Sequence, residues 1–239
     1  MSRFGALLVD AGGTLIPDRL PELPDLRDIR EQRLAALLPE LDRRRIAQLL
    51  DGLIAYAKVA DDALRQRTLA AIAACLSSVD CSLAGRAGDV RLALSQTTGR
   101  DQPFPGHREL LETASHLGLR RVLVSNTTWV SGSDWWLWRM SKLGMAGCLE
   151  GVVTSFDVGW RKPHRAMFDR ALELAGCAAE ACVFIGDNEL KDVEPALAMG
   201  MTVIRVAIQE PPTPTRGQHL ATTLDEARNA LRLVCQNQL

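Results

Sequence analysis

Apolar residues follow two rhythms along this chain. Short unbroken runs, each closed by glycine or a polar residue, recur at Phe4 to Val9, Val122 to Val124, Gly151 to Thr154, Cys182 to Ile185 and Thr202 to Val206. Runs of this kind predict strands buried on both faces, as in a parallel sheet. Between them apolar residues fall at helical spacing. Leu110-Leu111 with Ala114 and Leu117 stop at Gly118, Met167-Phe168 with Ala171-Leu172 and Leu174-Ala175 stop at Gly176, and Val193 with Ala196 to Ala198 stop before Gly200. Strands alternating with helices predict an α/β fold with a doubly wound parallel sheet.

Between Pro17 and Pro105 the rhythm changes. No strand pattern occurs there. Amphipathic helical patterns run over Leu34 to Leu38, Ile46 to Tyr56, Leu69 to Leu76 and Val90 to Leu94, punctuated by Pro21, Pro24, Pro39, Gly85, Gly88 and Gly99. The expected organisation is an α/β core of residues 1–17 and 104–239, with an all-helical insert at 18–103. Gln209 to Gln218, rich in proline and threonine, reads as a surface loop before a last helix from about Leu224.

Composition narrows the function classes. Of 239 residues, 47% are hydrophobic, so a sizeable core can be buried. The formal net charge of −1 gives no electrostatic case for a nucleic-acid partner. The basic run Arg43-Arg44-Arg45 reads as a solvated helix face. Cys75, Cys81, Cys148, Cys177, Cys182 and Cys235 form no Cys-x-x-Cys pair and read as free thiols of a reducing, cytoplasmic compartment. No stretch has the pattern of a leader or a membrane span.

Four polar segments are expected at the C-terminal ends of the strands, the sheet edge where open α/β folds bind ligands, the third of them entering a helix. They are Asp10-Ala11-Gly12-Gly13-Thr14, Ser125-Asn126, Arg161-Lys162-Pro163 and Gly186-Asp187-Asn188-Glu189-Leu190-Lys191-Asp192. A carboxylate on a glycine-rich turn can attack phosphorus and form an acyl phosphate. The small residues Ala11 and Gly12 let backbone N–H groups approach phosphate oxygens. Ser125 and Asn126 can donate to those oxygens, and Lys162 supplies a positive charge. Asp10 and Asp187 are hard oxygen donors of the kind magnesium prefers, with Asp192 able to orient metal-bound water from behind.

The order and spacing of these segments resemble the haloacid dehalogenase superfamily of phosphatases and related enzymes, over nearly the whole chain. Asp10 with Thr14 resembles its nucleophile motif, Ser125 the second motif, Lys162 the third, and Asp187 with Asp192 the fourth. The insert resembles the helical cap that many members carry. The resemblance implies Asp10 as nucleophile with Lys162 at the catalytic centre. It implies Mg2+ on the Asp10 carboxylate, the Gly12 carbonyl and Asp187, with phosphate held by Ala11, Gly12, Ser125, Asn126 and Lys162. Thr14, Asn188 and Asp192 would support these groups. The expected partner is a small phosphorylated molecule, and the expected state a monomer or homodimer.

Gly12 departs from the family pattern. Most phosphatases of the family carry an aspartate there, which protonates the leaving oxygen and later activates water. Glycine keeps the carbonyl but has no proton to give, and loss of a general acid–base group typically costs ~10²–10⁴-fold. Three readings follow. One is a phosphatase with another proton source, turning over aryl and acyl phosphates better than alkyl ones. A second is a different reaction, such as C–P cleavage through Lys58, the lysine of the insert. A third is a phosphate-binding or interaction protein on an enzyme scaffold. His107 and His164 lie near the same sheet edge and titrate in a useful range, though each follows a predicted helix start where capping is the commoner role. All the tryptophans lie from Trp129 to Trp160. Trp135, Trp136 and Trp138 fit packing of a helix, whereas Trp129 and Trp160 stand close to the phosphate-binding segments.

Overall fold

The computed structural model describes residues 3–17, 25–62, 69–95, 102–127, 132–145 and 147–236, and the backbone alone for 57–62. Trp129 lies outside the described residues, and so does the side chain of Lys58. Strands β1 (Ala6–Val9), β2 (Arg120–Ser125), β3 (Gly151–Thr154), β4 (Cys182–Gly186), β5 (Thr202–Val206) and β6 (His219–Ala221) form one sheet in the order β3-β2-β1-β4-β5-β6. Every pairing is parallel. The expected doubly wound sheet is present. β6 was not anticipated: it is a three-residue edge strand after the Gln209 to Gln218 loop, too short to carry an apolar run.

The apolar runs are strands because both their faces are covered. In β1, Leu7 and Val9 enter one core layer with helices α5 (His107–His116), α6 (Ser133–Lys142) and α10 (Leu224–Gln236). Ala6 and Leu8 enter the opposite layer with α8 (Arg165–Ala175) and α9 (Glu194–Ala198). This is the period-2 alternation of a pleated strand. Phe168 and Phe184 pack 5.6 Å apart and are fully buried in the second layer, each contributing roughly 1.5–3 kcal/mol of apolar burial. The ends of α8 follow from sequence. His164 Nδ1 accepts from the Ala166 N–H at its start, and Gly176, at φ 67°, stops it. Trp135 and Trp136 lie in the core, whereas Trp138 on the same helix is half-exposed.

Helices α1 (Leu26–Leu37), α2 (Arg43–Asp62), α3 (Leu69–Val79) and α4 (Ala87–Ser95) pack around a separate apolar cluster. Phe104 N–H donates to the Leu15 carbonyl at 2.9 Å, so chain leaving the first loop and chain returning from the helices meet side by side. Arg91 of α4 makes paired hydrogen bonds to the Asp134 carboxylate of α6 at 3.0 and 2.5 Å, joining helical cluster to sheet layer.

The sheet order fixes where a site can form. From β1 the chain winds to β2 and β3 on one side, then crosses to β4, β5 and β6 on the other. The crevice at such a reversal, beyond the carboxyl ends of β1 and β4, is the binding position of open α/β sheets.

Candidate active site

Three adjacent strands deliver the polar segments to that crevice. Asp10 follows β1, Ser125 ends β2, and Asp187 follows β4. A cleft of about 60 Å3 is lined by Asp10, Gly12, Ser125, Asn126, Lys162, Asp187, Asn188, Lys191 and Asp192.

Lys162 organises its floor. The buried ammonium donates to Asp10 Oδ1 at 2.5 Å and to the Val124 carbonyl at 2.9 Å, and pairs with Asp192 Oδ1 at 2.7 Å. Burial alone would lower the lysine's pKa; the two carboxylates outweigh it and hold the group well above its usual range. At Asp10 burial wins over the pull of Lys162, raising the carboxyl from 3.8 to about 6. Thr14 Oγ1 donates to Asp10 Oδ2 at 3.3 Å. Asn126 fixes the backbone of Lys162: its Oδ1 accepts the Lys162 N–H at 2.7 Å and its Nδ2 donates to the Lys162 carbonyl at 3.0 Å. Asn188 does not reach Lys162. Its side chain accepts from the Leu190 and Lys191 N–H groups, and its own N–H donates to Asp192 Oδ2 at 3.1 Å.

The donor set fits a hard divalent ion. Asp10, Asp187 and Asp192 each offer a carboxylate oxygen, all within 4.8 Å of one another. Two glycines make room for them. A Cβ on Gly13, which sits at φ 75°, would lie 2.4 Å from Asp187 Oδ2, and a Cβ on Gly186 would lie 2.7 Å from the Asp192 Cβ. Oxygen ligands of this kind, with water completing the shell, suit magnesium.

Other elements support the Asp187 loop. Buried Arg205 of β5 donates from Nε to the Asp187 carbonyl at 2.9 Å and from Nη1 to Thr213 Oγ1 at 2.9 Å, and pairs with Glu189 at 3.5 Å. Sequence reasoning missed Gly13, Gly186 and Arg205. The glycines were visible as small residues inside the motifs, whereas Arg205 stands in a strand with no motif around it.

The histidines have other tasks. His107 Nδ1 donates to the Phe104 carbonyl at 2.8 Å, and His164 caps α8. Neither lines the cleft. Trp160 stacks on the His164 ring at a centroid distance of 3.9 Å, and Arg161 donates to the Thr127 carbonyl.

Residues 4–200 match the model of the haloacid dehalogenase-like hydrolases, and the chain belongs to that family. It is 29% identical over 105 residues to a glyceraldehyde 3-phosphate phosphatase of Methanocaldococcus jannaschii, 44% of each chain. It is 33% identical over 112 residues to the haloacid dehalogenase-like hydrolase domain-containing protein 3 of Xenopus laevis, 45% of this chain and 42% of the relative. The matched segments thus span less than half the length of these curated relatives. Among solved structures, a 2-haloacid dehalogenase from Pseudomonas syringae shares the fold at a TM-score of 0.68 and 20% identity, over 96% of this chain and 98% of that one.

Proposed function

We propose that this chain is a magnesium-dependent phosphatase of small phosphorylated metabolites, with Asp10 as the phosphoryl acceptor. The carrying observation is the Asp10 carboxylate, buried at the end of β1 with Lys162 at 2.5 Å and the Asp187 and Asp192 carboxylates beside it. Buried carboxylates crowded in this way are costly without a cation. Asp10, Asp187 and the Gly12 carbonyl would hold the metal, which supplies charge neutralisation for phosphoryl oxygens and carboxylates alike. The relatives named as a phosphatase and as a family hydrolase domain support the reading.

The residues then divide the task. Asp10 attacks phosphorus through a carboxylate oxygen as the ester P–O bond breaks in line, leaving an aspartyl phosphate. Lys162, fixed by Asn126 and Asp192, orients Asp10 and offsets its charge. Ser125 and the Ala11 and Gly12 backbone receive the phosphoryl oxygens. Thr14, Asn188 and Asp192 support the ligands, and the helical insert 18–103 serves as cap. The test is magnesium-dependent phosphate release across a panel of phosphate esters. Release by wild type and none by Asp10→Asn is expected; equal release by both would refute it.

A further inference from the structure

We infer that Lys191 is the cation that meets the leaving oxygen of the substrate, a task that Gly12 leaves without a side chain. The inference rests on the phosphatase reading above.

The loop Gly186 to Asp192 sorts its side chains by one local device. The Asn188 side chain accepts the N–H groups of Leu190 and Lys191 at 3.1 and 3.0 Å, opening a wide turn over Glu189–Val193. That turn sends Leu190 to solvent and buries Asp192. Lys191, between them, joins the wall of the catalytic cleft.

Two observations give Lys191 its place. First, it is exposed, whereas the other residues lining the cleft are buried or half-buried. Lys191 therefore marks the mouth, and buried Asp10 marks the floor. Phosphoryl transfer puts attacking and leaving oxygens roughly in line across phosphorus. With Asp10 attacking from the floor, the leaving oxygen points to the mouth.

Second, the other lysine of the cleft is committed. The buried ammonium of Lys162 donates to Asp10 and to the Val124 carbonyl and is ion-paired with Asp192, so its charge is already shared between two carboxylates. The Lys191 ammonium has no ion-pair partner among the described residues. Charge points the same way. Asp10, Asp187 and Asp192 against Lys162 and a divalent ion balance to zero, so a phosphate monoester dianion enters with no cation assigned to it. Lys191 is the cation at hand. In the first step the Asp10–phosphorus bond forms, the P–O bond to the alkyl group breaks, and the leaving oxygen keeps the electron pair. Lys191 stabilises that oxygen as a charged donor while water supplies its proton.

The test uses leaving groups of graded basicity. The probes are acetyl phosphate, para-nitrophenyl phosphate and glycerol phosphate, with wild type, Lys191→Gln and Lys191→Arg in magnesium. Lys191→Gln should lose on the order of 10–10²-fold in kcat/KM on glycerol phosphate and under about threefold on acetyl phosphate, and Lys191→Arg should recover most of the loss. A loss equal on all three esters, or none, overturns the assignment. Absence of phosphate release from wild type would defeat the phosphatase reading by itself. Calorimetry with glycerol phosphate and inorganic phosphate then decides the contact. Weaker binding of the ester alone in Lys191→Gln supports it, and equal change or no change overturns it.

Discussion

The Asp187 carboxylate occupies space that a Cβ on Gly13 would need, its Oδ2 lying 2.4 Å from that position. Gly13 also sits at φ 75°, where a side chain costs roughly 1–2 kcal/mol. The two facts make Gly13→Ala a test of the metal loop. Its melting temperature should fall, and the magnesium concentration for half-maximal effect should rise, because Asp187 must move. An unchanged magnesium titration would show that Asp187 does not hold the ion.

Arg205 should act on the same loop. It touches the Asp187 carbonyl and Glu189, and neither Asp10 nor Lys162. Losing a group that orients a metal ligand typically costs 10–100-fold in metal affinity. Arg205→Met should weaken magnesium by about that factor with little change in substrate KM at saturating metal. Arg205→Lys should recover part of it. A raised KM at saturating metal would place Arg205 on the substrate instead.

Burial holds the Asp10 carboxyl at about 6, above its ordinary 3.8. The folded, metal-free protein therefore binds that proton more tightly than the unfolded chain does. The stabilisation it brings is fully present below pH 3.8 and is lost as pH rises through about 6. At about 1.4 kcal/mol per pKa unit the change is on the order of 2–3 kcal/mol. Denaturation of metal-free protein should show Asp10→Asn gaining on wild type by that order between pH 4 and pH 8. Magnesium should protect wild type at pH 8 far more than at pH 4, since the proton competes with the ion. A stability gap independent of pH would contradict the raised value.

Gly12→Asp restores the carboxyl that the family pattern places two residues after the nucleophile. Activity on alkyl phosphates should rise at least about tenfold, with a smaller gain on acyl phosphates. No gain on either class would mean that Gly12 is not simply a lost acid.

Much of this was legible in the chain. Unbroken apolar runs mark β1 to β5 because both faces of those strands are covered. Asp10, Ser125 and Asp187 stand out because each closes a run, and Lys162 because it enters a helix. What stayed hidden depends on packing between segments distant in sequence. Asn126 looked like a phosphate donor, yet its amide bonds both backbone groups of Lys162. Asn188 was legible as a supporting residue, but not that it works by shaping the turn that carries Lys191. His164 settles as the cap of α8, and His107 as a donor to the Phe104 carbonyl, once their Nδ1 partners are visible. β6 is legible only through its register with Ile204 to Val206.

The central claim is that Asp10 takes the phosphoryl group. Gly12 lacks the carboxyl that the family pattern places two residues after Asp10 to activate water, so the aspartyl phosphate should persist. Rapid quenching after mixing with radiolabelled acetyl phosphate and magnesium, followed by peptide mapping, reads this directly. Label on the peptide carrying Asp10, absent without magnesium and in Asp10→Asn, is the predicted result. Label elsewhere, or label retained in Asp10→Asn, would contradict it.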